Sequence, residues 1–599
     1  MSPPAALAES AAPQLLRWRS YVRSASTNFS LCPTEFRSDR TALAATGYIV
    51  RRLAMAPTAI PANGYPADSR DTADVIRPVK RLKTHRHPED SDVAHSVAIP
   101  SHPLGLKPSG NAYTATANAK DYAGSFGRLP DDLLVQILEY MNAPELVQLG
   151  TTCKALYAFT RAEELWKSLC VESPPTHPFR WRGTWRQSYL SLSPSRTAAV
   201  QCPTVFSDAL HRPFHCAHTP LNPFTSSIPP ANEIPRISDL SAADYEARWA
   251  STPFILTEPV KAWPAYCDGT FETDRLVERW SDVVFRAEAV EWKLKIYVEY
   301  MRNQEDESPV YLFDRGFVEK MGIEVGKQDG NRVKGEEDTH NKDRKRIEGE
   351  GEVNNGMEQK EEPVYWPPEC FGEDLFAVLG EQRPDCRWLI VGPERSGSSF
   401  HKDPNGTSAW NAVIAGSKYW LMFPPSTPSP PPGIILSPDS SEITSPLSIP
   451  EYLLSFHALA RATPGCREGV CAAGEVLHVP AGWFHLVLNL EESVAVTQNF
   501  VPRRKLGEVL RFLKEKPDQV SGFRDEVEDA FGLFVERLRE SGRGEVLEEG
   551  LREMKSLEAK EKWAGRSGKW EELVRGGKEE GEKDGAGFTF GFGSDEDDE

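Results

Sequence analysis

The pattern of apolar and polar positions changes character along the chain. From residue 1 to about 120 no period is sustained. Ala, Ser, Pro and Arg dominate, and the segment reads as disordered. A helical period sets in at Arg128–Tyr140, RLPDDLLVQILEY, where Leu133, Leu134, Ile137 and Leu138 share one face. Pro130 suits the entry to that helix, and Asp131 and Asp132 suit its first turn. Shorter helices are expected at Ala143–Leu149 and at Thr152–Thr160, which carries Cys153, Leu156 and Phe159, with a fourth segment around Leu165 and Trp166. Between Arg180 and Leu256 the pattern is irregular and aromatic, with Trp181, Trp185 and Tyr189 as packing anchors.

Beyond that point the period falls towards two. Pro253–Trp263 reads as a buried strand ended by a turn, Asp282–Val290 as a strand, Lys293–Met301 as a helix and Pro309–Asp314 as a strand. Short strands then crowd together at Arg387–Val391, Ser399–Asp403, Ala409–Ile414, Lys418–Phe423, Glu475–Val479, Phe484–Asn489 and Val494–Asn499. Gly and Pro turns separate them, which predicts a sandwich or jelly roll. Two stretches interrupt the pattern: 326–362, charged and Gly-rich, and 426–450, rich in Pro and Ser. After Pro502 two amphipathic helices are expected. One carries Leu506, Val509, Leu510 and Leu513; the other carries Phe523, Val527, Phe531, Phe534, Val535 and Leu538. The chain ends in an acidic stretch, SDEDDE.

Composition narrows this picture. A length of 599 residues suggests two to four domains. A net charge of −19 argues against the protein gripping a nucleic-acid backbone. No apolar run approaches the roughly 18 residues of a membrane span, so no membrane partner is expected. Ten scattered cysteines show no disulfide framework and suit a reducing compartment. The basic run Lys80–Lys83 reads either as solvated linker or as an import signal, which favours the nucleus over the cytoplasm.

Chemistry gathers in the strand-rich part. His401 and Asp403 lie two apart on an expected strand, a spacing that puts both on one face. His485 follows a Pro-Ala-Gly turn at the start of a returning strand. Two imidazoles and a carboxylate with open positions are the ligand set of non-haem Fe(II) oxygenases. Lys418 is the cation that the far carboxylate of a dicarboxylate cofactor needs. Tyr311, Asn411, Thr497 and Ser398 can add hydrogen bonds, and Trp410, Trp420, Phe423 and Trp483 are expected to keep the centre dry. Upstream, Cys202, His211, His215, Cys216 and His218 match no standard zinc spacing.

Two family resemblances follow from these residues. The LPDDLL opening, the Leu-x-x-Leu-Gly and Cys-Lys-x-Leu segments and the trailing Leu-Trp resemble an F-box, which implies docking on a Skp-type adaptor through Leu129, Pro130, Leu133 and Leu134. The stretches 306–314, 395–425 and 474–501 resemble a JmjC domain of the phosphatidylserine-receptor-like branch. That resemblance implies a double-stranded β-helix (cupin, or jelly-roll) fold using Fe(II), 2-oxoglutarate and O2. His401, Asp403 and His485 are then the iron ligands. Lys418 and Ser398 take the distal carboxylate, Tyr311, Asn411 and Thr497 line the cofactor pocket, and Asn499 supports it from behind. The expected organisation is a mixed fold: a disordered region at 1–124, the F-box at 125–172, a connector at 173–234, the JmjC domain at 235–503 with its two insertions, C-terminal helices at 504–565 and an acidic tail at 566–599. Three functions compete: hydroxylation of a protein side chain, lysyl foremost; N-methyl demethylation of a histone or other protein; and a ubiquitin-ligase substrate receptor in which the JmjC fold mainly binds.

Overall fold

The computed structural model describes residues 99–193, 199–326, 362–426, 430–446 and 448–560. The basic run, nearly all of the first insertion and the acidic end lie outside them.

Four short helices form the first bundle: α1 (Asp131–Glu139), α2 (Ala143–Leu149), α3 (Lys154–Phe159) and α4 (Glu163–Glu172). Local chemistry sets their ends. Asp131 and Asp132 occupy the first turn of α1, and Asn142 and Glu145 form a reciprocal capping box on α2. Leu134, Leu138, Leu146, Leu156, Phe159 and Trp166 are buried together. Here one expectation needs correcting. Leu134 is 0% exposed and belongs to the core, whereas Leu133 is 42% exposed. Neighbours on a helix point about 100° apart, so one enters the core while the other faces out. Of the four residues expected to meet an adaptor, Leu133 and Pro130 are exposed, Leu129 is half-buried, and Leu134 is not available.

The expectation of disorder through residue 124 also fails, from residue 99 onward. Leu106, Ala119, Ala123 and Phe126 are buried. Ala119 N–H donates to the Thr204 carbonyl at 2.9 Å, and Cys202 N–H to the Leu104 carbonyl at 2.7 Å. The partners of this segment come from far along the chain, so its own period carries no trace of them. The connector supplies α5 (Trp185–Tyr189) and α6 (Asp208–His218).

The strands are β1 (Arg236–Ile237), β2 (Phe254–Leu256), β3 (Val284–Ala287), β4 (Val290–Lys293), β5 (Leu312–Asp314), β6 (Arg387–Gly392), β7 (Gly397–His401), β8 (Ser408–Ala415), β9 (Ser417–Phe423), β10 (Ile435–Leu436), β11 (Ile443–Thr444), β12 (Arg467–Ala472), β13 (Glu475–Val479), β14 (Phe484–Asn489) and β15 (Ser493–Phe500). One sheet has the order β1-β2-β13-β8-β15-β6-β5-β3-β4, and the facing sheet the order β12-β9-β14-β7. Side chains of both sheets, among them Val413, Leu477, Trp420 and Met422, meet in one apolar cluster between them. This is the expected jelly roll.

The outer face of the smaller sheet is covered too. α8 (Ile449–Ala462) lays Tyr452 and Leu453 against Tyr419, Leu421, Leu486 and Leu488, while α7 (Leu294–Asn303), between β4 and β5, packs into the large core beside the larger sheet. Strands apolar on both faces read as continuous hydrophobic runs, which is why β9 and β14 stood out in the sequence. The second insertion is more regular than expected, with a β10–β11 hairpin and the start of α8 inside it. The single strand expected over Asp282–Val290 is one arm of the β3–β4 hairpin, turned at Glu288, whose φ is 51°.

After Pro502 come α9 (Leu506–Glu515), α10 (Ala530–Glu540) and a helix over 544–560. Phe523 and Val527 lie in the loop before α10 rather than on it, because the Asp529 side chain caps α10 by accepting from Gly532 N–H.

Candidate metal and cofactor site

His401 closes β7 and His485 is the second residue of β14, and the two are direct partners across the antiparallel pair. Their rings lie 4.1 Å apart at 54°. Asp403 departs from expectation. β7 ends at His401, and Asp403 sits in the loop just before a tight turn at Pro404–Gly406. Pro404 has no N–H to continue the ladder. The carboxylate nonetheless reaches the histidines: the ligand atoms of His401, Asp403 and His485 all lie within 4.8 Å of one another.

Both imidazoles are oriented by the backbone. His401 Nδ1 lies 2.8 Å from the Ser399 carbonyl and His485 Nδ1 lies 3.1 Å from the Trp483 carbonyl. A carbonyl only accepts, so each Nδ1 carries the proton and each Nε2 keeps its lone pair for a metal. Burial lowers both histidines to about 4, with mutual repulsion adding to the shift of His401, so both are neutral at pH 7. Burial pushes Asp403 up to about 6, a rise opposed by the electrostatic influence of the neighbouring His401 ring and by a hydrogen bond from Asn499. One carboxylate oxygen, Oδ2, is buried without a hydrogen-bond partner. An orphaned carboxylate oxygen beside two neutral imidazoles is a donor set that fits a divalent cation.

The other end of the same cavity is set by Lys418. It pairs across β9–β14 with Asn489, and its Nζ donates to Asn489 Oδ1 at 2.6 Å. Asn489 Nδ2 donates to Ser396 Oγ at 2.8 Å, and that hydroxyl donates to the Pro393 carbonyl at 2.6 Å. Gly392 must be a glycine for this chain to close, since a Cβ there would stand 2.4 Å from Ser396 Oγ and 2.7 Å from Asn489 Nδ2. Lys418 is 2% exposed, and burial lowers it to about 7. Among the described residues no carboxylate pairs with it.

Strand alternation decides which side chains reach the cavity. His485, Val487 and Asn489 of β14 point inward, as do Lys418 and Trp420 of β9. Asn411 and Thr497 are direct partners across β8–β15 and line the opposite wall with Asn499. Thr497 Oγ1 donates to the Trp410 carbonyl at 2.9 Å, while Asn411 Oδ1 is buried with no partner. The Tyr311 hydroxyl lies 2.5 Å from Ser398 Oγ at the same wall. All nine residues expected at the metal and cofactor therefore line one cavity. Three of the four residues expected to keep it dry do not line it, Trp483 lying in the apolar cluster between the sheets. Trp410 and Phe423 lie on the outer faces of β8 and β9, in other clusters, whereas Trp420 lines the cavity and stacks on His485 at 5.9 Å. The sequence reading missed Asn489, which the period-two step from His485 marks, and Ser521, which reaches the cavity from the loop after α9 and has no sequence signal. Among the described residues no other cluster of metal-ligating side chains occurs, and Cys216 is buried within α6 as core.

Comparison with known proteins agrees with this geometry. Residues 242–505 match the family model of the cupin-like domain, and residues 126–172 that of the F-box-like domain. The arginine-specific demethylase JMJ22 of Arabidopsis thaliana is 35% identical over 480 residues, 78% of this chain and 86% of that protein. The chain belongs to the cupin-like JmjC oxygenases. The bifunctional arginine demethylase and lysyl-hydroxylase psr-1 of Caenorhabditis elegans is 31% identical over 269 residues, 41% of this JmjC protein and 55% of the relative. The 2-oxoglutarate and iron-dependent oxygenase JMJD4 of Homo sapiens is 29% identical over 174 residues, 28% and 39% of the two chains.

Iron and 2-oxoglutarate are thus the cofactors of this JmjC protein, and His401, Asp403 and His485 would hold the iron. Lys418 would pair with the distal carboxylate of 2-oxoglutarate, with the Ser398 and Tyr311 hydroxyls beside it. When bound, the pair supplies oxidation of a C–H bond by O2 coupled to decarboxylation of the 2-oxo acid. The chain's own share is to hold both imidazoles neutral, orient them through Ser399 and Trp483, and exclude water with Trp420 and Val487.

Proposed function

We propose that this JmjC protein hydroxylates a carbon of a basic side chain, lysyl foremost, in a protein substrate. The observation that carries the reading is an aromatic pair on the cavity wall: Phe313 and Trp388 stack at 5.5 Å and 24° and line the space that also holds the histidines and Asp403. Flat aromatic faces accept both the hydrocarbon stem and the cation of such a side chain. The lysyl-hydroxylase half of the name of psr-1 supports it. A second reading, removal of an N-methyl group from arginine, is supported by the extent of the match to JMJ22. Both begin with the same oxidation of a C–H bond: on a side-chain carbon not bonded to nitrogen the hydroxyl is retained, and on an N-methyl carbon the carbinolamine loses formaldehyde. The purified protein, given Fe(II), ascorbate, 2-oxoglutarate and peptides carrying lysine or methylated arginine, separates them by product mass. Gain of one oxygen marks hydroxylation, and loss of a methylene unit marks demethylation. Succinate formed equally by His401→Ala overturns both.

The F-box-like bundle supports a further part of the proposal: a Skp-type adaptor docks on it and places the protein in a ubiquitin-ligase assembly, in the nucleus or cytoplasm. Pro130 and Leu133 are exposed on that surface, with Tyr140 and Val147 exposed on the same bundle. Leu133→Asp is expected to abolish co-purification of the adaptor while shifting stability by about 0.5 kcal/mol or less. Leu134→Ala, in the core, is expected to cost about 2–5 kcal/mol. Retained co-purification in Leu133→Asp counts against this docking mode.

A further inference from the structure

The F-box-like bundle and the cofactor pocket are joined by one short piece of chain, residues 306–312. At its start, Lys167 of α4 donates from Nζ to the Ser308 carbonyl at 2.7 Å and lies 4.0 Å from Asp306 Oδ2. Trp185 of α5 donates from Nε1 to the same carboxylate at 2.8 Å, and the Tyr300 hydroxyl of α7 donates to it at 2.7 Å. Further along, the Tyr300 hydroxyl accepts from Val310 N–H at 2.8 Å, and the Tyr297 hydroxyl accepts from Leu312 N–H at 3.0 Å. Both residues flanking Tyr311 are thereby held by their backbones, with Val310 and Leu312 facing the large core. Alternation turns Tyr311 the other way, into the cavity, where its hydroxyl meets Ser398.

We propose that Lys167, a residue of the F-box-like bundle, is a positioning residue for the cofactor pocket: by holding Ser308 and Asp306 it sets where the Tyr311 hydroxyl stands. The proposal rests on the reading of this cavity as the 2-oxoglutarate site. Lys167 touches neither cofactor nor metal, and its side chain is only 16% exposed. Without it the Asp306 carboxylate, 7% exposed, keeps neutral partners alone, and an uncompensated buried charge shifts the segment that bears it. The bundle is then part of the oxygenase rather than a tethered module.

The test measures 2-oxoglutarate binding without turnover, by calorimetry on the full chain loaded with Mn(II) in place of iron. Lys167→Met is expected to raise the Kd by about two- to thirty-fold, Lys167→Arg to restore it, and hydrogen exchange of residues 306–312 to quicken in the methionine variant. In a Tyr311→Phe background, Lys167→Met is expected to add no further change. A role confined to stability lowers Tm, additively with Tyr311→Phe, but leaves the Kd of the folded fraction unaltered; that result overturns the proposal. Should Lys167→Met not fold, Trp185→Phe, which removes one hydrogen bond to Asp306, is read by the same Kd and the same cycle. Lys418→Met separates the two layers. If it binds 2-oxoglutarate normally, the cofactor reading fails. If it loses binding while Lys167→Met or Trp185→Phe keeps the parental Kd, only this inference fails.

Discussion

The two ends of the cavity are built on opposite principles. At one end a carboxylate, Asp403, stands beside two imidazoles that burial keeps neutral, and burial raises it to about 6. At the other a lysine, Lys418, is buried against a neutral amide and lowered to about 7. Burial penalises whichever form is charged, so it moves an acid up and a base down. Each end is therefore complementary to a ligand of the other sign, a cation at Asp403 and a carboxylate at Lys418. The separation of charge along one cavity is what lets a metal and a dicarboxylate bind side by side in a fixed order. The anchoring differs too. The histidines are tied to main-chain carbonyls, Lys418 to a relay of side chains through Asn489 and Ser396.

The largest effect expected from breaking this arrangement is at the metal end. His485→Ala or Asp403→Ala is expected to abolish iron uptake and 2-oxoglutarate-dependent succinate formation together, read by metal analysis and turnover. Iron retained at full stoichiometry in either variant would break the comparison. Next comes Lys418→Met. Its metal content should stay at the parental level while the Kd for 2-oxoglutarate rises by about 10- to 150-fold, the worth of a hydrogen bond to a charged group. Loss of metal along with it would mean that the two ends are not independent.

A third measurement sharpens the electrostatic half. Between about 7 and the usual 10.5, the unfolded chain holds a proton on Lys418 that the folded chain does not. More protons bound in the unfolded state means that stability rises with pH across that window and falls as pH drops towards 7. The stability of the parent minus that of Lys418→Met, from denaturant titrations without cofactor, is expected to increase over this range; a flat difference would show that the amine is solvated. The smallest effect belongs to Ser398→Ala, which removes the partner of the Tyr311 hydroxyl and is expected to weaken 2-oxoglutarate binding by about two- to tenfold.

The sequence by itself determined a good deal here. Strands rich in apolar residues between Gly and Pro turns specified the jelly roll, because period and turn chemistry are local properties. Helix α2 was legible to the residue, since Asn142, Pro144 and Glu145 write its start into the chain. Of the nine metal and cofactor residues that line the cavity, His401, Asp403, His485 and Lys418 were legible as a ligand set with one long cation, whereas Asn499 was marked only by the family resemblance. What only the tertiary structure decided are the relations that no local pattern carries. Leu133 and Leu134 are the same residue type side by side, and only packing buries one and exposes the other. Trp410 and Trp420 are equally apolar, and only the pairing of β8 with β13 and β15 and of β9 with β12 and β14 sends the first to the large core and the second to the cavity. Residues 99–124 carry no period because their hydrogen bonds are made with residues 201–208. The period-two step from His485 puts Asn489 on the inner face of β14, but only the β9–β14 register sets it against Lys418. In each case the deciding free energy lies in a contact between residues distant in sequence, and such a contact exists only once the chain has closed on itself.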